Sequence, residues 1–377
     1  MFSRLHILFR VLPVVFFLLW MNRAIADSPL PVQTVFIILM ENHDWSTIVG
    51  TTNCPYINSL LPRASYCKGY YTPPGLHPSE PNYIWLEAGT NFGILDDSAA
   101  NRIASTNHLV TQLIHAGISW KSYQEDLVGS PLVNQNKYVV RHDPMVFFND
   151  VNGNTDYMTS HVRPYTELAR DLQSNTVARY NFITPNLTND MHDACSGCSS
   201  RVYGDLWLSH ELPKIFASQA YSNRGAIFIT WDEGNSSSSD GPLGMIVISP
   251  QAKGKGYFNS IHYTHSSTLR TMQNIFGVRP YLGDAANATD LSDLFDVPVP
   301  FGLTAPKMVN GSYRFAVTNL VASKTYYIEA SSNLTAWATI KTNVSPPGSV
   351  SFADIYATNF TWRFARARRP KELTGKI

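Results

Sequence analysis

The sequence predicts an α/β fold, with a central and mostly parallel sheet between helices, followed by a small C-terminal all-β module. Between residues 34 and 280, short apolar runs alternate with amphipathic stretches, as in strands joined by crossover helices. After Pro298-Val299-Pro300 the pattern changes to runs with partial period-two alternation, separated by Asn, Ser, Pro and Gly. With 377 residues, 44% of them hydrophobic, the chain is long enough to form both parts.

The predicted elements follow from these patterns. The strands of the α/β part are the apolar runs Val35–Met40, Ile118–Tyr123, Tyr180–Thr184, Ala226–Trp231 and Met245–Ile248. The helices are Pro81–Ala88, Asn107–Ala116, Tyr165–Gln173, Asp205–Ala220 and Ser266–Phe276. The C-terminal module, predicted for residues 306–370, is β-sandwich-like and uses the runs FAVTNL, KTYYIEASS, AWATIK, SVSFADI and FTWRFARAR.

Residues 1–26 form a predicted secretory signal peptide. Arg4 and Arg10 precede the apolar run from Val11 to Met21, and Ala24-Ile25-Ala26 supplies the small residues that a signal peptidase recognises. A short membrane anchor is the alternative, but the run is well under the roughly 20 residues that span a bilayer. We therefore expect cleavage, a secreted or periplasmic protein, and no integral membrane segment afterwards.

The charge of the mature chain argues against nucleic acid as a partner. Loss of the three arginines in the signal lowers the formal net charge from +1 to −2, and no broad basic stripe remains. The basic residues at the far end of the chain are interpreted as a solvated edge or tail; they are Arg363, Arg366, Arg368, Arg369 and Lys371.

Four cysteines in an exported chain predict two disulfides. Their positions suggest the pairs Cys54 with Cys67 and Cys195 with Cys198. A four-thiolate zinc site is the alternative, but one close C-x-x-C pair and one wide pair are a weaker pattern than two close pairs.

Polar side chains follow three of the predicted strands, at the point where each strand ends. Since the carboxyl ends of parallel strands open on one crevice, we expect these side chains to lie close together. They are Glu41 and Asn42 in TVFIILMENHDW; Asn186, Asn189, Asp190, His192 and Asp193; and Asp232 with Glu233. Clustered carboxylates repel one another unless a cation offsets their charge, and their oxygens favour one or more divalent ions such as Ca²⁺, Mg²⁺, Mn²⁺ or Zn²⁺.

Ser79 and His265 stand at the starts of two predicted helices. In the segment GLHPSEPNYIWLEAG, Ser79 is placed as an N-cap, with Glu80 and Pro81 in the first helical turn. A hydroxyl at a helix N-terminus also lies in a positive potential that stabilises an alkoxide or a phosphate oxyanion. His262 and His265 precede an amphipathic run, which suits a proton donor, a metal ligand or a packed histidine.

Eight segments occur in a fixed order along the chain: FIILMENHDW, HPSEPNYIWLEAG, WKSYQEDL, YVVRHDP, YNFITPNLTNDMHD, GDLWLSHELP, IFITWDEGN and HYTHSSTLRTMQNIFG. Together they resemble the bacterial and fungal phosphoesterase family, which contains acid phosphatases and phosphatidylcholine-type phospholipases C. The resemblance covers about residues 33–280. It implies an alkaline-phosphatase-like fold and a phosphoesterase catalytic domain at residues 27–300.

The resemblance also implies the roles of individual residues. The implied metal ligands are Glu41, Asn42, Asp232 and Glu233. The implied catalytic residues are the nucleophile Ser79 and the histidines His192 and His265, which bind phosphate oxygens or protonate the leaving group. The expected substrate-binding residues are Asn82, Asn186, Asp190 and His142.

The implied reaction is metal-assisted hydrolysis of a phosphate ester through a phosphoserine intermediate. The acidic-histidine run of the phospholipases is not evident after Asp232-Glu233, so the match is closer to the acid phosphatases. Two alternatives are a phospholipase C acting on phosphodiester head groups and a non-catalytic secreted binding protein on a degenerate scaffold. A serine esterase is disfavoured because no G-x-S-x-G elbow is present. The sequence gives no prediction of the oligomeric state.

Overall fold

The computed structural model describes residues 30–194, 197–236, 239–296, 302–304, 307–310, 312–320, 325–344 and 348–368. The chain divides into two compact units, Met1–Val297 and Pro298–Ile377. The expected signal peptide at residues 1–26 lies outside the described residues. Within the described ranges, no helix combines the length and the apolar composition needed to cross a bilayer.

The larger unit is built on an eight-stranded sheet. Its ten strands in chain order are β1 (Thr34–Met40), β2 (Ser65–Cys67), β3 (Tyr70–Tyr71), β4 (Trp120–Gln124), β5 (Val162–Pro164), β6 (Tyr180–Thr184), β7 (Gly225–Trp231), β8 (Met245–Ile248), β9 (Tyr257–Asn259) and β10 (Tyr263–Thr264). The order in the main sheet is β5-β4-β6-β1-β7-β8-β2-β9, and β3 pairs separately with β10. Of the eight strands, β8 runs antiparallel to both of its neighbours and the other pairs are parallel.

Strand β1 lies in the middle of this sheet because its side chains are apolar on both faces. It pairs in parallel with β6 and β7, so that Ile37 lies opposite Phe182 on one side and Phe228 on the other. Every residue from Val35 to Met40 is buried, as expected for a parallel strand covered by helices on both faces. The register brings the carboxyl ends of β1, β6 and β7 to the same edge of the sheet.

The helices pack in two groups. In chain order they are α1 (Trp45–Ile48), α2 (Pro55–Leu60), α3 (Ser79–Ala88), α4 (Leu109–His115), α5 (Asn149–Asn152), α6 (Thr155–His161), α7 (Thr166–Gln173), α8 (Ser200–Phe216), α9 (Gln219–Ser222) and α10 (His265–Phe276). One group joins α3 to α4 and α10, and the other joins α8 to α2, α7 and α9. Helix α3 ends at Gly89, whose φ of +69° and close approach to the Leu282 carbonyl leave no room for a side chain.

The predicted fold class is confirmed, and the five predicted strands are all present with boundaries within two residues. The predicted helix Asp205–Ala220 is wrong as a single element, because the chain leaves the helix after Phe216 and Ser218 then caps α9 by accepting a hydrogen bond from the Tyr221 N–H. The strands β2, β3, β5, β9 and β10 were not predicted. Each has only two or three residues, too few for a period to be visible.

The described part of the C-terminal unit is all-β, as predicted, and contains two antiparallel sheets. Its strands are β11 (Gly302–Leu303), β12 (Lys307–Val309), β13 (Ser312–Leu320), β14 (Thr325–Ser331), β15 (Ala338–Val344), β16 (Gly348–Asp354) and β17 (Phe364–Arg368). In one sheet β13 pairs with β11, β12 and β16, and in the other β14 lies between β15 and β17. Phe315, Val317, Tyr326 and Ile328 form the small apolar core of this unit.

The predicted disulfide between Cys54 and Cys67 is wrong, because both residues are buried free thiols. Cys54 precedes α2, whereas Cys67 lies in β2, where its Sγ is 3.4 Å from the Ile261 carbonyl oxygen and accepts the Gly69 N–H at 3.2 Å. Burial raises the pKa of the Cys54 thiol to about 11, so it behaves as a small apolar group. The second predicted pair includes Cys195, which lies outside the described residues, and it stays a prediction.

Candidate active site

Glu41 lies at the centre of a buried polar cluster at the carboxyl edge of the sheet. It follows β1 directly and is fully buried. Its Oε2 accepts a hydrogen bond of 3.0 Å from the Ser79 hydroxyl, and its Oε1 accepts one of 2.6 Å from the Tyr83 hydroxyl. Ser79 and Tyr83 are both on α3, so these contacts fix the start of that helix against the end of β1.

His142 and Asp190 complete a set of three side chains that could hold a metal ion. One ligand atom from each of Glu41, His142 and Asp190 lies within 4.8 Å of the other two. His142 Nε2 is 3.2 Å from Glu41 Oε1, and His142 Nδ1 is 3.4 Å from Asp190 Oδ2. The ring of Tyr83 stacks on the His142 ring with centroids 4.9 Å apart, which fixes the orientation of the imidazole.

Asn42, Asp232 and Glu233 line the neighbouring part of the cluster. The backbone N–H of Asn42 donates to Asp232 Oδ1 at 3.0 Å, and its side-chain amide donates to Glu233 Oε1 at 2.7 Å. Asn42 has a φ of +44°, a left-handed conformation that asparagine tolerates better than most residues. The strand ends of β1 and β7 are thereby joined side by side, as the parallel register requires.

Several oxygen atoms in this cluster lack a donor. Among the described residues no hydrogen bond reaches Asn42 Oδ1, Asp190 Oδ2 or Asp232 Oδ2, although all three atoms are buried. Buried polar atoms are normally paired because an unpaired one loses its hydration without compensation. The free oxygens therefore have the chemistry of a site for a hard divalent cation.

The pKa shifts of the residues in the cluster also indicate a cation site. Burial raises the pKa of Glu41 well above its usual range, and the charges of Asp232 and Asp190 raise it further. Burial, followed by the charge of Asp232, also raises the pKa of Glu233 to about 9. Burial lowers the pKa of His142 well below its usual range, so the ring is neutral and has a lone pair for a metal. Carboxylates in this condition need a cation to remain ionised together.

His77 contacts Glu233 and is itself held by Asp240. His77 Nδ1 is 2.6 Å from Glu233 Oε2, and His77 Nε2 is 3.2 Å from Asp240 Oδ1. Asn82 contributes a longer contact of 3.4 Å from its amide to Glu233 Oε2, and the same amide donates to the Leu76 and Pro78 carbonyls. Its main contacts therefore hold the loop before α3.

Ser79 is the first residue of α3 and does not cap it. The N-cap position is occupied by Pro78, and the Ser79 hydroxyl is directed at Glu41 instead. The N-cap interpretation of Ser79 is therefore wrong, and the hydroxyl is available at the cluster. The next backbone N–H, that of Glu80, donates to Asp97 Oδ1 at 2.9 Å, and Pro81 has no N–H.

Arg141 is the cation next to this helix start. Its Nε lies 3.6 Å from Asp97 Oδ2, and among the described residues no hydrogen bond reaches that buried nitrogen. The charge of Arg141 opposes the rise in pKa that burial causes in Asp190 and in Glu80, where the pKa is raised to about 8. The positive charge of Arg141 therefore lowers the pKa of both Asp190 and Glu80.

The remaining predicted site residues are His265, His192 and Asn186, and they differ in how they relate to the cluster. His265 is buried, with Nε2 at 2.6 Å from the Asp232 carbonyl oxygen and Nδ1 at 3.0 Å from the Tyr70 hydroxyl, so both ring nitrogens are in use. His192 is partly exposed, and its ring centroid is 6.3 Å from that of His142. The side chain and backbone N–H of Asn186 contact Glu125 and Asp126 in the loop after β4, and its backbone carbonyl accepts the Asp190 N–H at 2.8 Å. None of its described side-chain contacts reaches the cluster.

His77 and Tyr83 contact the cluster, and Arg141 lies near it through Asp97, but none of the three was predicted. Two of them lie within the quoted segment HPSEPNYIWLEAG, and Arg141 lies within YVVRHDP. The sequence signal that could have identified them was their position beside the predicted site residues Ser79 and His142. A histidine or tyrosine next to a predicted nucleophile does not by itself reveal which carboxylate it will contact.

Comparison with known proteins identifies the group to which this site belongs. The family model described as the phosphoesterase family matches residues 52–279, more than half of the chain. The chain belongs to the phosphoesterase family. This phosphoesterase is therefore a hydrolase that acts on phosphate esters.

Two relatives and one solved structure are similar to this phosphoesterase. A phosphatidylinositol-3-phosphatase of Mycobacterium tuberculosis is 30% identical over 274 residues, which are 72% of this chain and 86% of the relative. A probable acid phosphatase of Kluyveromyces lactis is 26% identical over 280 residues, covering 69% of this chain and 64% of the relative. A solved structure from Vibrio parahaemolyticus, described as a protein in the alkaline phosphatase superfamily, has a TM-score of 0.49 at 10% identity, over 84% of this chain and 85% of that one.

Proposed function

We propose that this phosphoesterase is an exported, metal-dependent phosphomonoesterase that uses Ser79 as its nucleophile. The observation that carries the proposal is the contact between the Ser79 hydroxyl and Glu41, inside a buried cluster of carboxylates. A structural serine at a helix start caps the helix, whereas this hydroxyl faces the acids.

The donors in the cluster fit a divalent cation. Glu41, His142 and Asp190 would hold one ion, with the free oxygens of Asn42 and Asp232 beside them. When bound, the ion supplies positive charge to the carboxylates, the serine oxygen and the substrate phosphate. The set of carboxylate, amide and imidazole donors suits Ca²⁺, Mg²⁺, Mn²⁺ and Zn²⁺.

The chain's own residues supply the remaining steps. The Ser79 proton is directed at Glu41 Oε2, which leaves the Oγ lone pairs free to attack phosphorus. A bond forms between Oγ and phosphorus as the Ser79 proton passes to Glu41 Oε2, and the ester oxygen leaves with the bonding electrons and takes up a proton. His192 is the candidate donor for that proton because His265 has both ring nitrogens engaged. Water then hydrolyses the phosphoserine.

Arg141 is the proposed anchor for the substrate phosphate. The start of α3 offers few free backbone donors, because the Glu80 N–H is bound by Asp97 and Pro81 has none. The guanidinium of Arg141, held by Asp97, is a forked donor beside Glu80 and Asp190. Such a group suits a terminal phosphate with several free oxygens.

A preference for monoesters is supported by the relatives, which are described as phosphatases. Export is supported by the sequence of residues 1–26, with its basic start, apolar run and small residues before position 27. Both properties are part of the proposal.

A chelation experiment with three esters tests the proposal. Purified protein is assayed with p-nitrophenyl phosphate, bis-p-nitrophenyl phosphate and p-nitrophenyl phosphocholine, before and after EDTA treatment, and then after addition of each divalent metal. We expect turnover of the monoester to dominate, to disappear on chelation and to return with at least one metal. Turnover that survives complete metal removal would overturn the metal dependence, and preferred cleavage of the phosphocholine ester would replace the phosphatase by a phospholipase C.

A further inference from the structure

The two parts of the mature chain carry opposite charges. Residues 302–377 contain ten Lys and Arg residues but three Asp and Glu residues, a formal net charge of +7. Residues 27–301 contain sixteen basic and twenty-five acidic residues, a formal net charge of −9. The near-neutral total therefore hides a strongly basic C-terminal module, and such asymmetry is typical of a segment that meets an anionic partner.

The acidic residues described in the module are already neutralised. Glu329 accepts a 2.7 Å hydrogen bond from Arg366, and Asp354 accepts one of the same length from Arg363. Lys307 and Arg314, both exposed, lie directly opposite one another on β12 and β13. Like charges in that position destabilise a sheet, so the fold of the module does not explain the pair.

Exposed apolar side chains gather at one end of the same module. Strand pairing places Val309 opposite Ser312, Tyr313 opposite Asp354, and Ser331 opposite Phe364, so the adjoining turns all lie at that end. Seven large apolar side chains in these turns and strand ends are between 39% and 63% exposed: Met308, Val309, Leu334, Ile355, Tyr356, Phe360 and Trp362. We call them the apolar tip. The first strand of the module, β11, pairs at Thr318, towards the other end of β13.

The loop that supplies most of the apolar tip is firmly held. It joins β16 to β17, and the ion pair between Asp354 and Arg363 closes its base. Ala357, within the loop, is buried, and the Arg363 guanidinium lies 4.2 Å from the centroid of the Phe360 ring. The loop thus presents Ile355, Tyr356, Phe360 and Trp362 outward on a fixed base.

We propose that the apolar tip docks the protein on an anionic phospholipid bilayer. Tyr, Trp and Phe side chains favour the interface between headgroups and acyl chains, and basic residues nearby are attracted to anionic lipids. Met308, Val309, Leu334 and Ile355 are not aromatic, and they have no stacking role on a nucleic acid or a sugar. A bilayer accepts both kinds of side chain.

Vesicle sedimentation tests this surface. The chain from residue 27 onward is used, so that the apolar signal segment does not itself bind lipid. Partitioning is measured on phosphatidylcholine vesicles with and without about 30 mol% phosphatidylglycerol, at low salt and at about 0.5 M NaCl. We expect partitioning on the anionic vesicles that weakens with salt. Equal binding to neutral vesicles, or none to either kind, would overturn the proposal.

Two variants distinguish binding by the apolar tip from nonspecific binding of the protein to lipid. The double substitution Phe360→Ser with Trp362→Ser is expected to lower the partition coefficient at least about tenfold. Val344→Ser removes an equally exposed apolar side chain at the opposite end of β14 and β15 and is expected to change nothing. Both variants should retain wild-type turnover of p-nitrophenyl phosphate and the wild-type thermal unfolding profile, which together verify the folding of both units. A double variant that partitions like the wild type would show that the tip is not the docking surface.

Discussion

The hydroxyl of Ser79 donates a 3.0 Å hydrogen bond to Oε2 of Glu41, although 38 residues separate the two in the chain. One residue begins α3 and the other follows β1, so the contact joins a helix start to a strand end. Ser79 does not cap α3, and the burial of Glu41 is itself costly, since burial raises its pKa well above the usual range. We propose that a functional role accounts for the arrangement.

Replacement of Ser79 should remove activity without unfolding the protein. Ser79→Ala deletes the oxygen that we propose as the nucleophile, and we expect turnover of p-nitrophenyl phosphate to fall by at least about 10³-fold. Ser209→Ala is the matched control, since Ser209 is a partly buried helical serine on α8 whose hydroxyl donates only to the Leu206 carbonyl among its described contacts. An alanine variant with normal turnover would assign the nucleophile elsewhere.

Replacement of Asp190 should separate metal binding from folding. Asp190→Asn keeps the acceptor for the His192 N–H but removes one buried negative charge. We expect metal affinity, measured by titration calorimetry, to fall at least about tenfold, while the metal-free protein melts at the same temperature or higher because repulsion is relieved. Asp193→Asn, in the same loop but ion-paired with Lys137, should leave the affinity unchanged. Unaltered affinity in Asp190→Asn would remove this residue from the metal site.

Replacement of Arg141 should weaken substrate binding. Arg141→Gln removes the guanidinium that Asp97 holds beside the cluster, and a hydrogen bond to a charged group contributes about 1.5–3 kcal/mol. We expect KM for the monoester and the inhibition constant of inorganic phosphate to rise about tenfold or more. Arg102→Gln, in a neighbouring loop where the side chain bonds to the Ala99 and Asn101 carbonyls, serves as the control. If phosphate inhibits both variants as it does the wild type, another group binds the phosphate.

A buried ion cluster beside α3 should make stability depend on pH. His108 lies between Glu87 on α3 and Asp150 on α5, at 3.1 and 3.0 Å. Burial lowers the pKa of His108, but the hydrogen bonds and charges of Asp150 and Glu87 outweigh it, and the net pKa is raised. A histidine whose pKa is higher in the folded protein than in the unfolded chain stabilises the fold. This stabilisation is complete at pH values below the unfolded pKa of about 6.5 and is lost as pH rises through the folded pKa.

Urea unfolding at a series of pH values above about 6 tests this expectation. The free energy of unfolding of the wild type should decline as pH rises. That of His108→Asn should be lower at the start and decline less steeply, because the buried carboxyl groups with a raised pKa cause a decline common to both proteins. His115→Asn, on the exposed end of α4, should follow the wild-type curve. Parallel curves for the wild type and His108→Asn would mean that His108 is not charged in the folded protein.

The sequence by itself determined the sheet and the edge at which the chemistry gathers. A run such as Val35–Met40 has no polar face, so it must be buried on both sides, and parallel strands of this kind open on one crevice. Glu41, Asn42, Asp232 and Glu233 could therefore be placed together from strand ends alone. Ser79 was found because its motif resembles a family, and the structure then brought it to Glu41.

Only the tertiary structure decided which polar groups share contacts. His142 comes from the short 3₁₀ turn Val140–His142, outside the strand pattern, yet it lies between Glu41 and Asp190. His265 is held by Tyr70 and the Asp232 carbonyl, and Cys54 and Cys67 remain apart as thiols. The reason is physical: periodicity fixes which face of a strand is buried, whereas the meeting of two side chains distant in sequence depends on how helices and loops pack around the sheet.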